Sequence, residues 1–191
     1  MKEKYFKEKE FKNLHFLKGS FESADYESCV FRSCDFSQAD FSQIDFVDCE
    51  FHECNLSMAV LNGTLFQDCR FYQCKMLGLK FENCNEFGLS VHFESCFLNQ
   101  SSFYGTKLKR TKFLACHLKS VDFTEADMSE AVFDKSDLQG AVFHRVNLEG
   151  ADLRAAKNFR IDPESNKLDK SRFSNTNLAG LLRKYKLLID F

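Results

Sequence analysis

The chain has no tryptophan, one proline and only 8 glycines in 191 residues. A β-sandwich of this length normally turns on Gly and Pro, so that class is disfavoured from the outset. No apolar run reaches the roughly 18 residues that a membrane span needs. The opening Met1-Lys-Glu-Lys-Tyr-Phe-Lys-Glu-Lys-Glu10 lacks the apolar segment of a secretory leader. A cytoplasmic protein with reduced thiols and no membrane contact is therefore expected. The glycine and histidine signatures GxGxxG, GxxxxGKS/T and HExxH are all missing, so neither an enzyme nor a cofactor is expected. A strong net charge is missing too, the formal value being −2.

That small net value hides an asymmetry. Residues 19–153 carry 11 basic and 21 acidic side chains, whereas residues 154–191 carry 9 basic and 4 acidic. The middle is an acidic body with basic ends, which disfavours direct nucleic-acid binding because phosphates would be repelled. With 44% hydrophobic and 28% charged residues, the chain has enough apolar material to pack rather than remain disordered.

What is abundant is phenylalanine, with 23 residues, and it is periodic. Large apolar residues recur every five positions from Phe6 to Phe81, and in a second register from Phe93 to Leu153. The pattern lapses at Asn158 and Pro163 and resumes in phase at Leu168, Phe173 and Leu178. Two residues before each large one stands a smaller residue, such as Ala24, Cys29, Cys34, Ala126 or Ala151, and between them Asp or Asn is common. A period of five fits neither a helix at 3.6 nor a strand at 2. It requires a bend every five residues, with two inward positions flanking one outward residue, as in a very short strand. Four bends close a square coil of about 20 residues, and coils stack at the strand spacing of about 4.8 Å.

The nine cysteines fit the same plan. Cys29, Cys49 and Cys69 are 20 apart, as are Cys34, Cys54 and Cys74, and Cys96 and Cys116. No short pairs converge as a metal site requires, so they are expected to be reduced core fillers in columns, with no metal. His15, His52, His92, His117 and His144 fall on outward phases, which separates them from the thiols and excludes a Cys–His nucleophile. The Asp residues before the large positions are expected to make corner hydrogen bonds on a solvated face.

Units such as Ala126-Asp-Met-Ser-Glu130, Ala151-Asp-Leu-Arg-Ala155 and Cys34-Asp-Phe-Ser-Gln38 resemble the A(D/N)Lxx motif of the pentapeptide repeat proteins, over about residues 4–180. The resemblance implies an all-β, right-handed quadrilateral β-helix. The tail, including Asn158-Phe-Arg-Ile-Asp-Pro163 and Gly180-Leu-Leu-Arg-Lys-Tyr-Lys-Leu-Leu-Ile189, is similar to that of the quinolone-resistance (Qnr-type) members. That likeness implies a tail-to-tail homodimer. It also implies a rod about as wide as duplex DNA that imitates DNA and occupies type II topoisomerases, DNA gyrase or topoisomerase IV, protecting them from quinolones. The alternative is a structural repeat scaffold for some other protein partner.

The expected division is a repeat body over 1–173, interrupted at 82–92, followed by a C-terminal helix and tail over 174–191. Within the interruption, twelve residues separate Phe81 from Phe93 where ten are due. The extra residues are either a tolerated insertion or a partner-binding loop, with Glu86, Phe87, Leu89 and His92 as its candidate residues. In register, Glu86 would point inward, so Phe87 is expected to take that place or to stand exposed. At the C-terminus, Leu178, Leu181, Leu182 and Tyr185 share a helical stripe. With Leu188 and Ile189 they are the candidate dimer interface as well as a cap on the open core. Residues 2–18 read as an irregular first coil closing the other end. Lys107, Lys109, Arg110, Lys112 and Lys119 form a basic patch, either a solvated face or a phosphate contact.

Overall fold

The computed structural model describes residues 4–15, 24–185 and 187. Its strands are very short and arise in pairs, because each five-residue unit can extend only until the next bend. One parallel sheet contains β1 (Tyr5–Lys7), β3 (Asp25–Glu27), β5 (Asp45–Val47) and β7 (Leu65–Gln67). The other contains β2 (Glu10–Lys12), β4 (Val30–Arg32), β6 (Glu50–His52), β8 (Cys69–Tyr72), β9 (Val91–Glu94) and β10 (Phe113–Leu114). Pairing joins each residue to the equivalent one a coil later, as in Phe6↔Tyr26 and Phe31↔Phe51. Isolated bridges such as Asp35↔Asn55 and Asp40↔Val60 do the same on the remaining two sides. The result is a right-handed quadrilateral β-helix with a short helical cap.

The core is a set of side-chain ladders. Phe31, Phe36, Phe41 and Phe46, one from each side of a coil, are fully buried. Along one side, Phe31, Phe51 and Phe71 stack face to face at 4.8 Å, the coil spacing itself. Around a corner, rings meet edge to face, as Phe46 meets Phe51 at 5.4 Å. Both arrangements suit the ring quadrupole.

Glycine is scarce although most corners use a left-handed residue. Ser28, Ser33, Gln38 and Gln43 have φ of 52°, 51°, 58° and 61°. An L-residue pays about 1 kcal/mol or more for this conformation. Stacking offsets it, because the N–H of each such residue reaches a carbonyl of the next coil, as in Ser28 to Val47 at 2.9 Å and Gln38 to Ser57 at 3.0 Å. The Asp and Asn residues complete the corners: Asp35 Oδ1 accepts the Ser37 N–H at 2.9 Å and Asp122 Oδ1 that of Thr124 at 2.8 Å. The hydroxyl and backbone N–H of Ser42 hold the Asp40 carboxyl below its ordinary range.

The first coil keeps the repeat spacing with the expected irregularity at its small positions, whereas the C-terminal end departs from expectation. In its described part the first coil is regular, since β1 and β2 pair in register with β3 and β4. Only its small positions are irregular, with Lys4 and Lys9 exposed. At the other end, the helical stripe forms only the four-residue α1 (Ala179–Leu182), followed by a 3₁₀ turn at Arg183–Tyr185. The chain closes tightly here because Phe159 leaves the five-residue register and, with Ile161 on the small inward phase, covers the core. The cap then crosses Phe159 at Gly180, where a Cβ would lie 2.8 Å from the Phe159 carbonyl oxygen. Lys184 anchors the turn through Asp162 and Glu164 at 2.7 and 2.6 Å. Leu188 and Ile189 lie outside the described residues.

Candidate partner-binding surfaces

The interruption is a projecting loop. β9 pairs with β8 as Val91↔Cys69 and Phe93↔Phe71, two residues beyond the usual spacing. Residues 85–90 absorb the difference. Asn85 Oδ1 accepts the Phe87 N–H at 3.1 Å, which bends the chain outward. Phe87 ends 89% exposed and Glu86 is exposed beside it. The chain returns against the previous coil at Gly88, where any Cβ would overlap the Leu65 side chain. Leu89 then packs on the core, the apolar role denied to Glu86. Ser90 fastens the return, its N–H to the Phe66 carbonyl at 2.8 Å and its hydroxyl to Asp68 at 2.8 Å.

Of the four candidate loop residues, only Glu86 and Phe87 stand exposed. His92 belongs to β9, where its Nδ1 accepts the Lys112 N–H at 3.2 Å. Burial, with Lys112 and Arg70 nearby, lowers its pKa. The structure adds residues that spacing alone did not reveal. Glu82, Glu86, Tyr104 and Lys107 line a small cavity of about 100 Å³ beneath the loop. Among the described residues, Glu82 Oε2 is buried there without a hydrogen-bond partner. Tyr104 is half exposed and donates to Glu125 at 2.9 Å.

The C-terminal candidates divide as well. Leu181 packs on the core, and the Tyr185 hydroxyl donates to Glu164 at 2.8 Å. Leu178, Leu182 and Leu187 stay exposed on the cap.

The basic patch is not a patch. Five residues make one side of a coil, so Lys107 and Lys119 lie on different sides. Lys109 and Arg110 both pair with Glu130, at 3.2 and 2.7 Å. Acidic side chains cluster in two places: in the lower coils, where Asp25, Asp45, Asp48 and Asp68 climb one side and its corner, and at residues 121–140, which carry six acidic and one basic side chain. Between them, the coil bearing Lys107 reverses the sign.

All nine cysteines are free and buried. Cys96 settles above Cys74, its thiol reaching the Phe71 carbonyl at 3.3 Å, so Cys96 and Cys116 extend the column of Cys34, Cys54 and Cys74. Among the described residues no group of three or more His, Cys, Asp or Glu could hold a metal ion, and no helix is long and apolar enough to cross a membrane.

Comparison with known proteins agrees with this geometry. No curated protein matches the chain in sequence. Two solved forms of QnrB1, described as a plasmid-mediated fluoroquinolone resistance protein, share the fold. One has TM-score 0.63 at 17% identity, covering 97% of this chain and 100% of that one. The other has TM-score 0.64 at 16% identity, covering 95% and 99%. HetL, a pentapeptide repeat protein involved in heterocyst differentiation regulation in the cyanobacterium Nostoc, aligns at TM-score 0.50 and 16% identity, over 88% of this chain and 86% of its own. At such identities the likeness is one of fold. The family model for the pentapeptide repeat region matches residues 24–86 and 80–153, more than half of the sequence. With the five-residue ladders already in place, that match settles the family: the chain belongs to the pentapeptide repeat proteins.

Proposed function

We propose that the protein is a non-catalytic rod that binds another protein through the loop at 85–90, and that the partner is a type II topoisomerase, DNA gyrase or topoisomerase IV. The observation that carries the proposal is Phe87, held 89% exposed on a loop tied down at both ends. A large exposed aromatic on a rigid support is the kind of anchor that dominates interfaces. The acidic ledge of Asp25, Asp45, Asp48 and Asp68 supports the choice of partner, since it would meet a basic DNA-binding saddle with complementary charge. End-to-end overlap with a fluoroquinolone resistance protein supports it further. In this reading the rod imitates DNA, shields the enzyme from quinolones and binds no nucleic acid itself. A homodimer through Leu178, Leu182 and Leu187 would lengthen the rod, because these exposed leucines would bury one another about a twofold axis.

Ciprofloxacin inhibition of gyrase supercoiling, titrated with the protein, tests the proposal. Wild type should relieve inhibition, and Phe87→Ala should lose the effect while melting at the wild-type temperature. A wild type without effect at a tenfold excess over gyrase would end the topoisomerase reading. The second reading is a structural scaffold for a different partner. The reversal of charge at Lys107 favours it, because a surface of both signs matches a partner of mixed charge.

A further inference from the structure

We infer that the cleft between the last coil and the C-terminal cap is a binding site for a small polyphosphate-bearing molecule. The cleft has a volume of about 670 Å³, within the range of small-molecule sites. Arg154, Lys157, Arg160 and Arg183 line it, and among the described residues no carboxylate does. The lining draws on the basic C-terminal segment, where residues 154–191 carry 9 basic and 4 acidic side chains.

The fold brings these cations together for identifiable reasons. Lys157 ends the regular ladder, paired with Asp137 one coil below. Asn158 then takes a left-handed conformation, φ 59°, which turns the chain out of its five-residue register. Phe159 goes inward and Arg160 outward, beside the cleft. The cap must approach closely at Gly180, which carries Arg183 to the opposite lip.

The nearby described carboxylates have hydrogen-bond or ion-pair partners of their own, although the neutral donors at Asp137 leave its charge in place. Asp137 accepts from the Asn158 side-chain amide at 2.8 Å and from the Gln139 N–H at 3.1 Å. Asp152 is held by the Arg154 guanidinium, at 2.6 Å for the shortest bond. Asp162 and Glu164 are both taken by Lys184. Lys157, Arg160 and Arg183 have no ion-pair partner among the described residues. Three cations without an ion-pair partner among the described residues converge on one concave space, an arrangement that suits a compact anion of several charges. A single phosphate can be held by few of them, whereas a di- or triphosphate chain can span both lips. The planar donor forks of Arg160 and Arg183 suit phosphate oxygens.

Isothermal titration of the full chain with tripolyphosphate and with ATP at 150 mM salt tests the site, with sulfate at equal ionic strength and a short DNA duplex as further arms. Saturable one-to-one binding of tripolyphosphate and ATP is expected, with sulfate at least tenfold weaker. Arg160→Glu and Arg183→Glu should each weaken binding at least tenfold, and Lys75→Glu, which makes the same charge change away from the cleft, less than twofold. Where a charge reversal lowers the melting temperature, Arg160→Gln serves in its place with the same expected direction. The site is overturned if tripolyphosphate does not saturate below millimolar concentration, or if sulfate matches it. It is equally overturned if Lys75→Glu weakens binding as much as the cleft variants, or if the duplex alone binds.

Discussion

The lower coils, residues 24–84, and the upper coils, residues 96–157, obey one backbone rule but satisfy it with different atoms. In every unit the carbonyl of the large inward residue must find a donor at the corner, since an unpaired buried carbonyl is costly. In most units of the upper coils the donor is backbone, with the side chains of Ser136 and Asn166 serving at Phe113 and Phe143. Ala126 N–H reaches the Phe123 carbonyl at 3.0 Å, and Ala151 N–H that of Leu148 at 2.9 Å, each closing a tight turn. On two sides of the lower coils the donor is sulfur. Cys49 reaches the Tyr26 carbonyl at 3.3 Å, Cys69 that of Phe46 at 3.3 Å and Cys74 that of Phe51 at 3.3 Å, each from one coil above. Those corners bend while still extended, and most of the recognisable strands lie on those sides. Cysteine is thus a hydrogen-bonding part of the corner as well as a filler.

The largest consequence is alkaline instability seated in the thiol-bearing coils. Burial pushes the thiols of Cys29, Cys49, Cys69, Cys84 and Cys116 up, that of Cys49 to about 12. An unfolded thiol titrates near 8.5. The folded pKa is the higher one, so the stabilisation is complete below about pH 8.5 and is lost as pH rises toward 12. A thiol raised as far as that of Cys49 forfeits about 1.4 kcal/mol per pH unit in that window, and the other raised thiols act in the same direction. Urea midpoints should fall steeply between pH 8.5 and 10, and hydrogen exchange should accelerate below Cys116 before it does above. Native thiol labelling at pH 8 should be slow for all nine cysteines. A midpoint that stays flat to pH 10 would place the thiols outside the core.

Next in size is the aromatic core. Phe51 touches the rings of Phe31, Phe36, Phe46, Phe66 and Phe71, whereas Phe133 touches only those of Phe113, Phe123 and Phe143. Above the loop, Phe and Leu or Met alternate around the coil, so each phenyl has fewer ring neighbours. Both alanine variants should lose about 3–5 kcal/mol in urea denaturation, with Phe51→Ala nearer the upper figure. A larger loss at Phe133 would contradict the comparison.

Smaller still is the cost of a single sulfur. Cys69→Ala leaves the Phe46 carbonyl without its thiol donor, at about 1–3 kcal/mol. Cys69→Ser keeps a donor and should cost less. The chain already makes this exchange at Ser136, in the same column as Cys116, whose hydroxyl reaches the Phe113 carbonyl at 2.9 Å. Equal losses for Ala and Ser would make the sulfur a filler only.

The ladders, the inward cysteines and the corner aspartates were legible because a five-residue period places every side chain without reference to distant contacts. The loop was legible as an interruption, but not its path. That Leu89 and not Phe87 turns inward depends on where Gly88 passes Leu65, a contact between coils. His92 was misplaced in the loop because spacing did not show that β9 had already resumed at Val91. The basic residues from Lys107 to Lys119 read as one patch because they are close in sequence, while the coil spreads them around its sides. The cationic cleft was not legible at all: it joins residues 154–160 to Arg183 through a cap whose position no period fixes.

The last and smallest effect concerns the surface of the upper coils. Arg110 and Glu130, one coil apart, form a short pair at 2.7 Å, and Lys109 shares the same carboxylate. Such pairs between adjacent coils invite the idea that charge, and not corner chemistry, holds the upper half together. Their exposure argues against it, since 71% of the Arg110 side chain and 45% of that of Glu130 face solvent. Exposed pairs gain little in water, lose side-chain entropy and are screened by salt. Lys109 also remains to pair with Glu130 when Arg110 is gone. Arg110→Ala should therefore leave the melting temperature unchanged within about 1 °C at 150 mM salt, with no more than a slight fall at low salt. If the variant instead lost as much stability as Cys69→Ala, the two halves would differ in their electrostatics and not in the donors at their corners.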